Sequence, residues 1–244
     1  MADAAKDLVW ISGASGGIGA ALAGSVPWPG ARVIDIGRRG AAGLEHVEAD
    51  LADPATWDTV AASFEKELAG FDGDHAVFVH AAGTLDPMGF AAEVDPGAYR
   101  RNVILNAAAP QALGQAFVSA AGNRPGRRHL VMLTSGAAKS VYPGWSSYGA
   151  SKAAVDQWVR NVGAEQEARG GVHVVAVAPG TVDTAMQRRI RETPEEAFPQ
   201  RQKFVELHES GTLADPADVA VKIWGLLDAG LDNGAVVDLR HVPG

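Results

Sequence analysis

The fold is decided by the stretch Leu8-Val9-Trp10-Ile11-Ser12-Gly13-Ala14-Ser15-Gly16-Gly17-Ile18-Gly19. Its apolar start predicts a buried strand, its glycines predict a tight turn, and the Ala-Ala-Leu-Ala-Gly that follows predicts a helix. Glycine lets a backbone approach a ligand closely, and the start of a helix presents unpaired N–H groups and a positive dipole end. We therefore expect this turn to bind the pyrophosphate of a dinucleotide. The alternative is a glycine-rich turn without a ligand.

Strand-like and helix-like segments alternate along the rest of the chain, without a repeat, a linker or a shift in composition. Apolar runs predict strands at 31–36, 47–51, 76–80, 130–133, 172–178 and 235–239, and periodic segments predict helices at 54–69, 96–121, 148–169 and 216–227. The alternation predicts one α/β domain over 1–244, with a doubly wound parallel sheet and helices on both faces. The polar segment 186–211 is expected to form a lid over a substrate site, or else a plain surface excursion.

The composition narrows the classes of function. The chain has 244 residues, and 29 Asp and Glu against 21 Lys and Arg give a net charge of −8. An acidic chain without a basic patch is not expected to bind nucleic acid. There is no cysteine, which excludes disulfides and thiolate catalysis, and the 7 histidines have no metal-binding spacing. Residues 1–7 lack the features of a signal peptide and no apolar run could span a bilayer, so we expect a cytoplasmic protein without a metal or a membrane partner.

Two residues compete to contact the adenosine ribose of the expected dinucleotide. In such folds an acid near the end of the second strand bonds the ribose 2′-hydroxyl, whereas an arginine there accommodates a 2′-phosphate. Asp35 lies within the predicted strand, and Arg38, followed by Arg39, lies just beyond it. We favour Arg38, and hence NADP(H) over NAD(H). Asp50, which closes the third predicted strand, could bond the adenine amino group or be an ordinary loop carboxylate.

A second group of residues is suited to proton transfer. Ser135 follows an apolar run, and a loop rich in Gly, Pro and Ser separates it from Tyr148 and Lys152, which are four residues apart and share one helix face. A nearby ammonium would lower the tyrosine pKa from its ordinary value of about 10 toward neutrality, where acid–base catalysis is most effective. With Ser135 bonding a carbonyl oxygen, the three could protonate a carbonyl as it receives a hydride. The alternative for Tyr148 and Lys152 is packing plus a solvated charge.

Two further positions lie near expected strand ends or kinks. Pro110 removes the N–H that would bond the carbonyl of Asn106, which would free that carbonyl to hold a water, unless the proline is a mere kink. Pro179-Gly180 breaks the strand 172–178, so Thr184 could bond a nicotinamide carboxamide.

These motifs, in this order along the whole chain, resemble the short-chain dehydrogenase/reductase family, which implies a Rossmann-type domain. Ser12 stands where threonine is commoner in the family's glycine motif, and His80-Ala81-Ala82-Gly83 departs from its usual Asn-Asn-Ala-Gly. The resemblance implies a catalytic tetrad of Asn106, Ser135, Tyr148 and Lys152. Together, motif and resemblance assign cofactor contacts to Gly13, Ser15, Gly17, Ile18, Gly19, Arg38, Arg39, Asp50, Leu51, Ala82, Gly83, Tyr148, Lys152, Pro179, Gly180, Val182 and Thr184.

Within the family, the chain resembles the sepiapterin reductase and benzil reductase members, through 134–139, 144–146, 179–187 and 233–238. Those members use NADPH, in agreement with Arg38. In the sepiapterin-type members a C-terminal aspartate anchors the pterin, and this resemblance makes Asp238 a candidate substrate contact, or else a water-exposed acid. Tyr142, Trp145 and Met186 are expected to shape an apolar substrate pocket beside Ser135.

The sequence thus predicts an NADPH-dependent carbonyl reductase, for vicinal dicarbonyls such as benzil or for sepiapterin-like substrates. The alternatives are an NAD-dependent alcohol dehydrogenase and a non-catalytic NADP(H)-binding regulator, which would be expected to lack one of the four catalytic residues. An apolar stripe on the helix 148–169, made of Val155, Trp158, Val159 and Val162, is core or a subunit interface. It makes a homodimer or homotetramer plausible.

Overall fold

A parallel sheet of seven strands forms the centre of the computed structural model, which describes residues 6–122 and 124–242. The strands are β1 (Asp7–Ser12), β2 (Arg32–Gly37), β3 (Glu45–Glu48), β4 (His75–His80), β5 (Arg127–Leu133), β6 (His173–Ala178) and β7 (Val236–Asp238). Their order, β3-β2-β1-β4-β5-β6-β7, changes direction between β1 and β4. This is the predicted doubly wound sheet, and its switch point lies where such sheets bind ligands. Residues 1–5, most of the segment searched for a signal peptide, lie outside the described residues.

Helices cover both faces of the sheet, as the alternation predicts. They are α1 (Gly17–Gly24), α2 (Trp57–Leu68), α3 (Pro96–Val103), α4 (Ala109–Ala121), α5 (Ser146–Glu167), α6 (Ala185–Glu192), α7 (Arg201–Glu209) and α8 (Pro216–Gly225). The helices α2, α4 and α5 pack on one face, and α1 and α8 pack together on the other. Among residues 6–122 and 124–242, no helix has the length and apolar character needed to cross a membrane.

Each face of the sheet buries its own core, because parallel strands covered on both sides are apolar on both sides. On the face of α2 and α4, Trp10 meets the ring of Phe64 edge-on at 5.4 Å, and Phe117 packs against both. The apolar stripe of α5 belongs to this core: Val155 and Val159 are fully buried in it, and Trp158 and Val162 pack against it. The stripe therefore packs within the subunit, and the homodimer or homotetramer stays a prediction.

The long helix predicted over 96–121 is interrupted. Between α3 and α4, the segment Ile104–Ala108 is π-helical, and the N–H of Ala109 donates to the carbonyl of Ile104. The cause is Pro110, which has no N–H to give to the carbonyl of Asn106, so the hydrogen-bond ladder shifts by one residue. Asn106 lies within the shifted segment.

Two other boundaries differ from the sequence prediction. β3 ends at Glu48, so Asp50 lies in the turn after the strand rather than at its end. The segment 186–211 forms the helices α6 and α7, which are separated by residues 193–200. Both prolines of the segment, Pro194 and Pro199, fall in this connection, where their missing N–H groups interrupt no helix.

One buried hydroxyl joins the ends of the two strands at the switch point. Ser12 Oγ, at the end of β1, accepts hydrogen bonds from the N–H groups of Ala81 and Ala82, each at 3.1 Å, just beyond β4. Ser12 is fully buried. The strand end whose sequence departs from the family pattern is thus braced from the neighbouring strand.

Replacement of Ser12 by Ala should destabilise the fold, because it leaves two partly buried N–H groups without an acceptor. We expect the free energy of unfolding to fall by about 1–3 kcal/mol, measured by urea denaturation. Ser12→Thr, which keeps the hydroxyl, should lose less. Ser119→Ala, at an exposed position of α4, is the matched control. An equal loss in Ser12→Ala and Ser119→Ala would contradict the brace.

Candidate active site

The turn between β1 and α1 is built so that only glycine fits at its key positions. Gly13 and Gly17 have φ angles of 78° and 54°. A Cβ on Gly19 would lie 2.3 Å from the carbonyl oxygen of Gly13. Gly16 caps α1 without a side-chain hydrogen bond, and Ser15 beside it is exposed. The exposed N–H groups at this helix start fit the phosphates of a dinucleotide.

Asp35, one of the two candidates for the ribose, is instead part of the scaffold of this turn. Its carboxylate is fully buried. Oδ1 accepts from the N–H of Ala14 at 3.1 Å, and Oδ2 accepts from the N–H of Ala41 at 3.0 Å. His46 Nδ1 lies 3.2 Å from the same Oδ2. Asp35 thus holds the glycine turn against the loop after β2.

Arg38 and Arg39 are exposed in the loop that follows β2. Neither forms an ion pair with a carboxylate in the described part of the chain. The two guanidinium groups at this edge are therefore available to an anionic ligand.

Asp50 lies nearby with its carboxylate engaged. Oδ2 accepts from Arg101 Nη2 at 2.8 Å, and Oδ1 accepts from the N–H of Ala52 at 3.1 Å. Burial opposes ionisation, but these hydrogen bonds and the charges of Arg101 and Arg38 hold the pKa of Asp50 below its ordinary value. Leu51, also assigned to the cofactor, is buried, and its carbonyl accepts from Trp57 Nε1.

Ser135 and Tyr148 meet at the carboxyl edge of β5. Ser135 follows the strand and caps the single turn Gly136–Ala138, its Oγ accepting from the N–H of Ala137 at 3.2 Å. The helix α5 begins at Ser146, which puts Tyr148 in its first turn and Lys152 one turn further on. Ser135 and Tyr148 line one cleft of about 240 Å³.

Lys152 is a buried lysine that faces the same edge. It is 5% exposed, and its Nζ donates to the carbonyl of Leu133 at 2.8 Å and lies 5.7 Å from the centre of the Tyr148 ring. Burial lowers the pKa of Lys152 to about 8, against the opposing charge of Asp156. The Lys152 ammonium in the folded chain thus gives up its proton at a lower pH than an exposed lysine does.

The pKa of Tyr148 differs from the sequence expectation. Burial raises it, because the phenolate would lose its hydration, and the hydroxyl of Ser135 offsets only part of this effect. We expected Lys152 to make the phenol acidic, but its pKa is raised, and the group that offsets burial is Ser135 rather than the lysine. At neutral pH the phenol therefore keeps its proton, and a protonated phenol is the form that can donate to a carbonyl oxygen.

Asn106 is held beside these groups by its side chain. Its Oδ1 accepts from the N–H of Thr84 at 3.1 Å and its Nδ2 donates to the carbonyl of Thr84 at 2.8 Å. A Cβ on Gly83 would lie 3.0 Å from Asn106 Oδ1 and 3.8 Å from Lys152 Nζ. Asn106 thus fixes the loop after Ala82 next to Lys152.

His80, at the end of β4, is neutral and not exposed to solvent. Burial, followed by the charge of Lys152, lowers the pKa of His80 to about 3. His80 is thus a buried histidine at a strand end and is not suited to act as a base at neutral pH. In residues 6–122 and 124–242, no group of three or more His, Asp or Glu is placed to hold a metal ion.

The residues assigned to the nicotinamide side line the same cleft: Ile18, Pro179, Gly180, Val182 and Thr184. Thr184 also approaches the glycine turn, since its Cγ2 lies 3.4 Å from where a Cβ on Gly17 would stand. The cleft therefore joins the turn after β1 to Ser135 and Tyr148.

An aromatic cluster closes the other side of the cleft. Trp145 stacks on Phe198 with ring centres 4.5 Å apart, and Tyr142 and Phe204 lie beside them. Phe198 and Phe204 come from the segment 186–211, and Met186 of the same segment lines the cleft. This segment thus packs over the residues predicted to shape the substrate pocket.

Asp238 is not among the side chains that line the cleft. It pairs with Arg240, whose Nε donates to Asp238 Oδ1 at 2.9 Å, and Arg240 lines the cleft instead. Lys203 of α7 lines it as well. Neither cation was predicted from the sequence. The spacing of Asp238 and Arg240 at the last strand end was a usable signal, but nothing local distinguished Lys203 from other helix-surface lysines.

Comparison with known proteins decides the family. Residues 7–195 match the family model described as short chain dehydrogenase. The chain belongs to this family.

Its relatives include the members that the sequence resembles. A short-chain dehydrogenase relative, the (S)-benzoin-forming benzil reductase of Bacillus subtilis (strain 168), is 32% identical over 240 residues, covering 96% of this chain and 99% of the relative. The sepiapterin reductase of Mus musculus is 34% identical over 137 residues, 55% of this chain and 51% of the relative. The crystal structure of the angucycline C-6 ketoreductase LanV with bound NADP superposes with a TM-score of 0.76 at 27% identity, covering 96% of this chain and 94% of that chain. Fold and family are thus confirmed, and the chain is an oxidoreductase.

Burial of Lys152 should be visible in the pH dependence of stability. Its pKa falls from an ordinary 10.5 to about 8 in the folded chain, so between these pH values the unfolded chain binds more protons and stability rises with pH. The full difference corresponds to about 3 kcal/mol. The free energy of unfolding of the wild type minus that of Lys152→Met should therefore increase between pH 7 and pH 10, measured by urea denaturation. The same comparison with Lys222→Met, at an exposed site on α8, should not change, and an unchanged difference for Lys152→Met would contradict the lowered pKa.

Proposed function

We propose that the protein is an NADPH-dependent carbonyl reductase that acts on vicinal dicarbonyl compounds. The observation that carries the proposal is the meeting of Ser135, Tyr148 and Lys152 at one edge of the sheet, where the first two line a cleft that reaches Ile18 beside the glycine turn. The relationship to a benzil reductase along nearly the whole chain supports a dicarbonyl substrate.

The residues present fit a nicotinamide dinucleotide. The glycine turn would hold the pyrophosphate, Arg38 and Arg39 the ribose 2′-phosphate, and Asp50 with Leu51 the adenine. Ala82, Gly83, Pro179, Gly180, Val182 and Thr184 would border the nicotinamide. The buried, fully bonded Asp35 supports NADP(H) over NAD(H), because it leaves an arginine rather than an acid at the ribose position.

The chain's own residues would move the proton and position the carbonyl. The bound dinucleotide supplies the hydride that reduces the carbonyl carbon. Ser135 donates a hydrogen bond to the carbonyl oxygen, and Tyr148 gives that oxygen its proton, which burial keeps on the phenol at neutral pH. Lys152 would orient the cofactor ribose, and Asn106 would hold the water of the proton relay.

The aromatic walls of the cleft favour a flat dicarbonyl compound with an apolar or aromatic substituent over a pterin. Tyr142, Trp145 and Met186 supply an apolar surface, covered by the segment 186–211 as a lid. Asp238, which the resemblance assigns to the pterin, is already paired with Arg240. All four catalytic positions are filled and gathered at one edge, which disfavours a non-catalytic regulator.

Replacement of Tyr148 by Phe should abolish turnover while leaving the dinucleotide bound, because it removes only the proton donor. We expect the NADPH-dependent reduction of benzil to fall by about a factor of 10² or more, since general acid catalysis contributes about 10²–10⁴. NADPH binding, followed by cofactor fluorescence, should persist. Tyr99→Phe, whose hydroxyl lies on α3 outside the cleft, is the matched control. Turnover near the wild-type rate in Tyr148→Phe would refute the role.

Replacement of Arg38 by Ala should weaken NADPH selectively, because the 2′-phosphate loses a charged partner. We expect the KM for NADPH to rise about tenfold or more, a loss of about 1.4 kcal/mol, while the KM for NADH changes little. Arg169→Ala, at an exposed site beyond α5, controls for net charge. An equal rise for both dinucleotides would count against NADP(H) preference.

A further inference from the structure

The cleft at Ser135 and Tyr148 is cationic in an acidic protein. The chain carries a net charge of −8, yet in the described part of the chain the charged side chains that line this cleft are Lys203 and Arg240, and no carboxylate lines it. Because the long-range field of the chain repels anions, two local cations at a substrate cleft require a specific explanation.

Arg240 is fixed close to the carbonyl-binding serine. Its Nη2 lies 3.4 Å from where a Cβ on Gly136 would stand, one residue after Ser135, and its Cγ lies 3.3 Å from the same point on Gly180. Asp238 accepts from its Nε and Nη2, so the guanidinium is held in one orientation. An arginine has five N–H donors, so others remain for a ligand.

Lys203 supplies the uncompensated charge. Its Nζ donates to the hydroxyl of Tyr142 at 3.2 Å and lies 5.4 Å from the centre of that ring. It forms no ion pair with a carboxylate among residues 6–122 and 124–242. An ammonium is thus held over the aromatic wall of the cleft with only a neutral oxygen as partner.

From this arrangement we infer that the substrate carries a carboxylate next to its reacting carbonyl: a 2-oxo carboxylic acid with an aromatic or apolar substituent. This rests on the proposed function and narrows its substrate class. The aromatic cluster takes the substituent, Ser135 and Tyr148 bond the keto oxygen, and Arg240 and Lys203 bind the carboxylate. Arginine and carboxylate match in charge and in planar geometry.

The reaction then balances as a two-electron reduction. The keto carbon gains a hydride from NADPH and the keto oxygen gains the proton of Tyr148, giving a 2-hydroxy carboxylate and NADP⁺. A solvent proton restores the phenol. The carboxylate itself is unchanged.

Phenylglyoxylate and its methyl ester test the inference, because they differ mainly in the charge next to the ketone. For the wild type, kcat/KM should be higher for the acid than for the ester. In Lys203→Met and in Arg240→Met the ratio of acid to ester should fall about tenfold, as expected when a charged partner is lost. The preference should also weaken between about 0.1 M and 1 M salt, where the screening length shrinks from about 10 Å to about 3 Å. Lys222→Met should keep the wild-type ratio.

Binding gives a second measurement that does not depend on turnover. In Tyr148→Phe with saturating NADP⁺, titration calorimetry should show tighter binding of phenylglyoxylate than of its ester, and the added change Lys203→Met should remove the difference. Lys203 is exposed, so folding is not at stake in this variant. Equal binding of the acid and the ester would overturn the inference, and so would a kcat/KM ratio of acid to ester that neither cation variant changes. If the wild type still reduces benzil, the proposed function stands in both cases. If the wild type does not reduce benzil but binds phenylglyoxylate more tightly than its ester, the proposed function alone is overturned.

Discussion

Two hydrogen bonds to one buried hydroxyl continue the contact between β1 and β4 beyond the paired ends of the two strands. Ser12 accepts from Ala81 and Ala82, and these bonds tie the end of β1 to the end of β4 across the point where the strand order reverses. The glycine turn starts one residue after Ser12, and the loop that Asn106 fixes starts one residue after Ala82. If the two strand ends separated, the glycine turn and the catalytic edge would no longer be held in a fixed position relative to each other. The glycine turn and the catalytic edge are thus tied together in part by an oxygen that takes no part in the proposed chemistry.

Burial sets the charge states around that edge. Tyr148, Lys152 and His80 all lose water on folding, and each is pushed toward its neutral form: the pKa of the phenol rises, and those of the lysine and the histidine fall. A neutral histidine beside Lys152 adds no second positive charge. The phenol therefore keeps its proton in a region of low dielectric, where hydrogen bonds to a polarised carbonyl are stronger than in water.

The elements that sequence patterns predicted are those with strong local signals. The strand, turn and helix of 8–24 follow from apolar residues and glycines, and the gathering of Ser135, Tyr148 and Lys152 follows from a strand end and a helical spacing. The features that were missed depend on tertiary contacts. The two backbone bonds of Asp35, to Ala14 and Ala41, and the desolvation of Tyr148 are set by how separate segments fold together, which no local pattern encodes. The π-helical segment was predicted only in part. Pro110 marked its position in the sequence, but the shift of the backbone hydrogen bonds by one residue is seen only in the structure.

The buried carboxylate of Asp35 constrains how the nucleotide preference of this scaffold can be redesigned. An acid in the second strand suggests an NAD-type determinant, yet here it serves as an internal strut between the backbone at Ala14 and at Ala41. An engineer who replaced it to tune the ribose contact would loosen the phosphate turn itself and lose affinity for both dinucleotides. The tunable surface is the exposed loop at Arg38 and Arg39, where side chains can be exchanged without touching the strut.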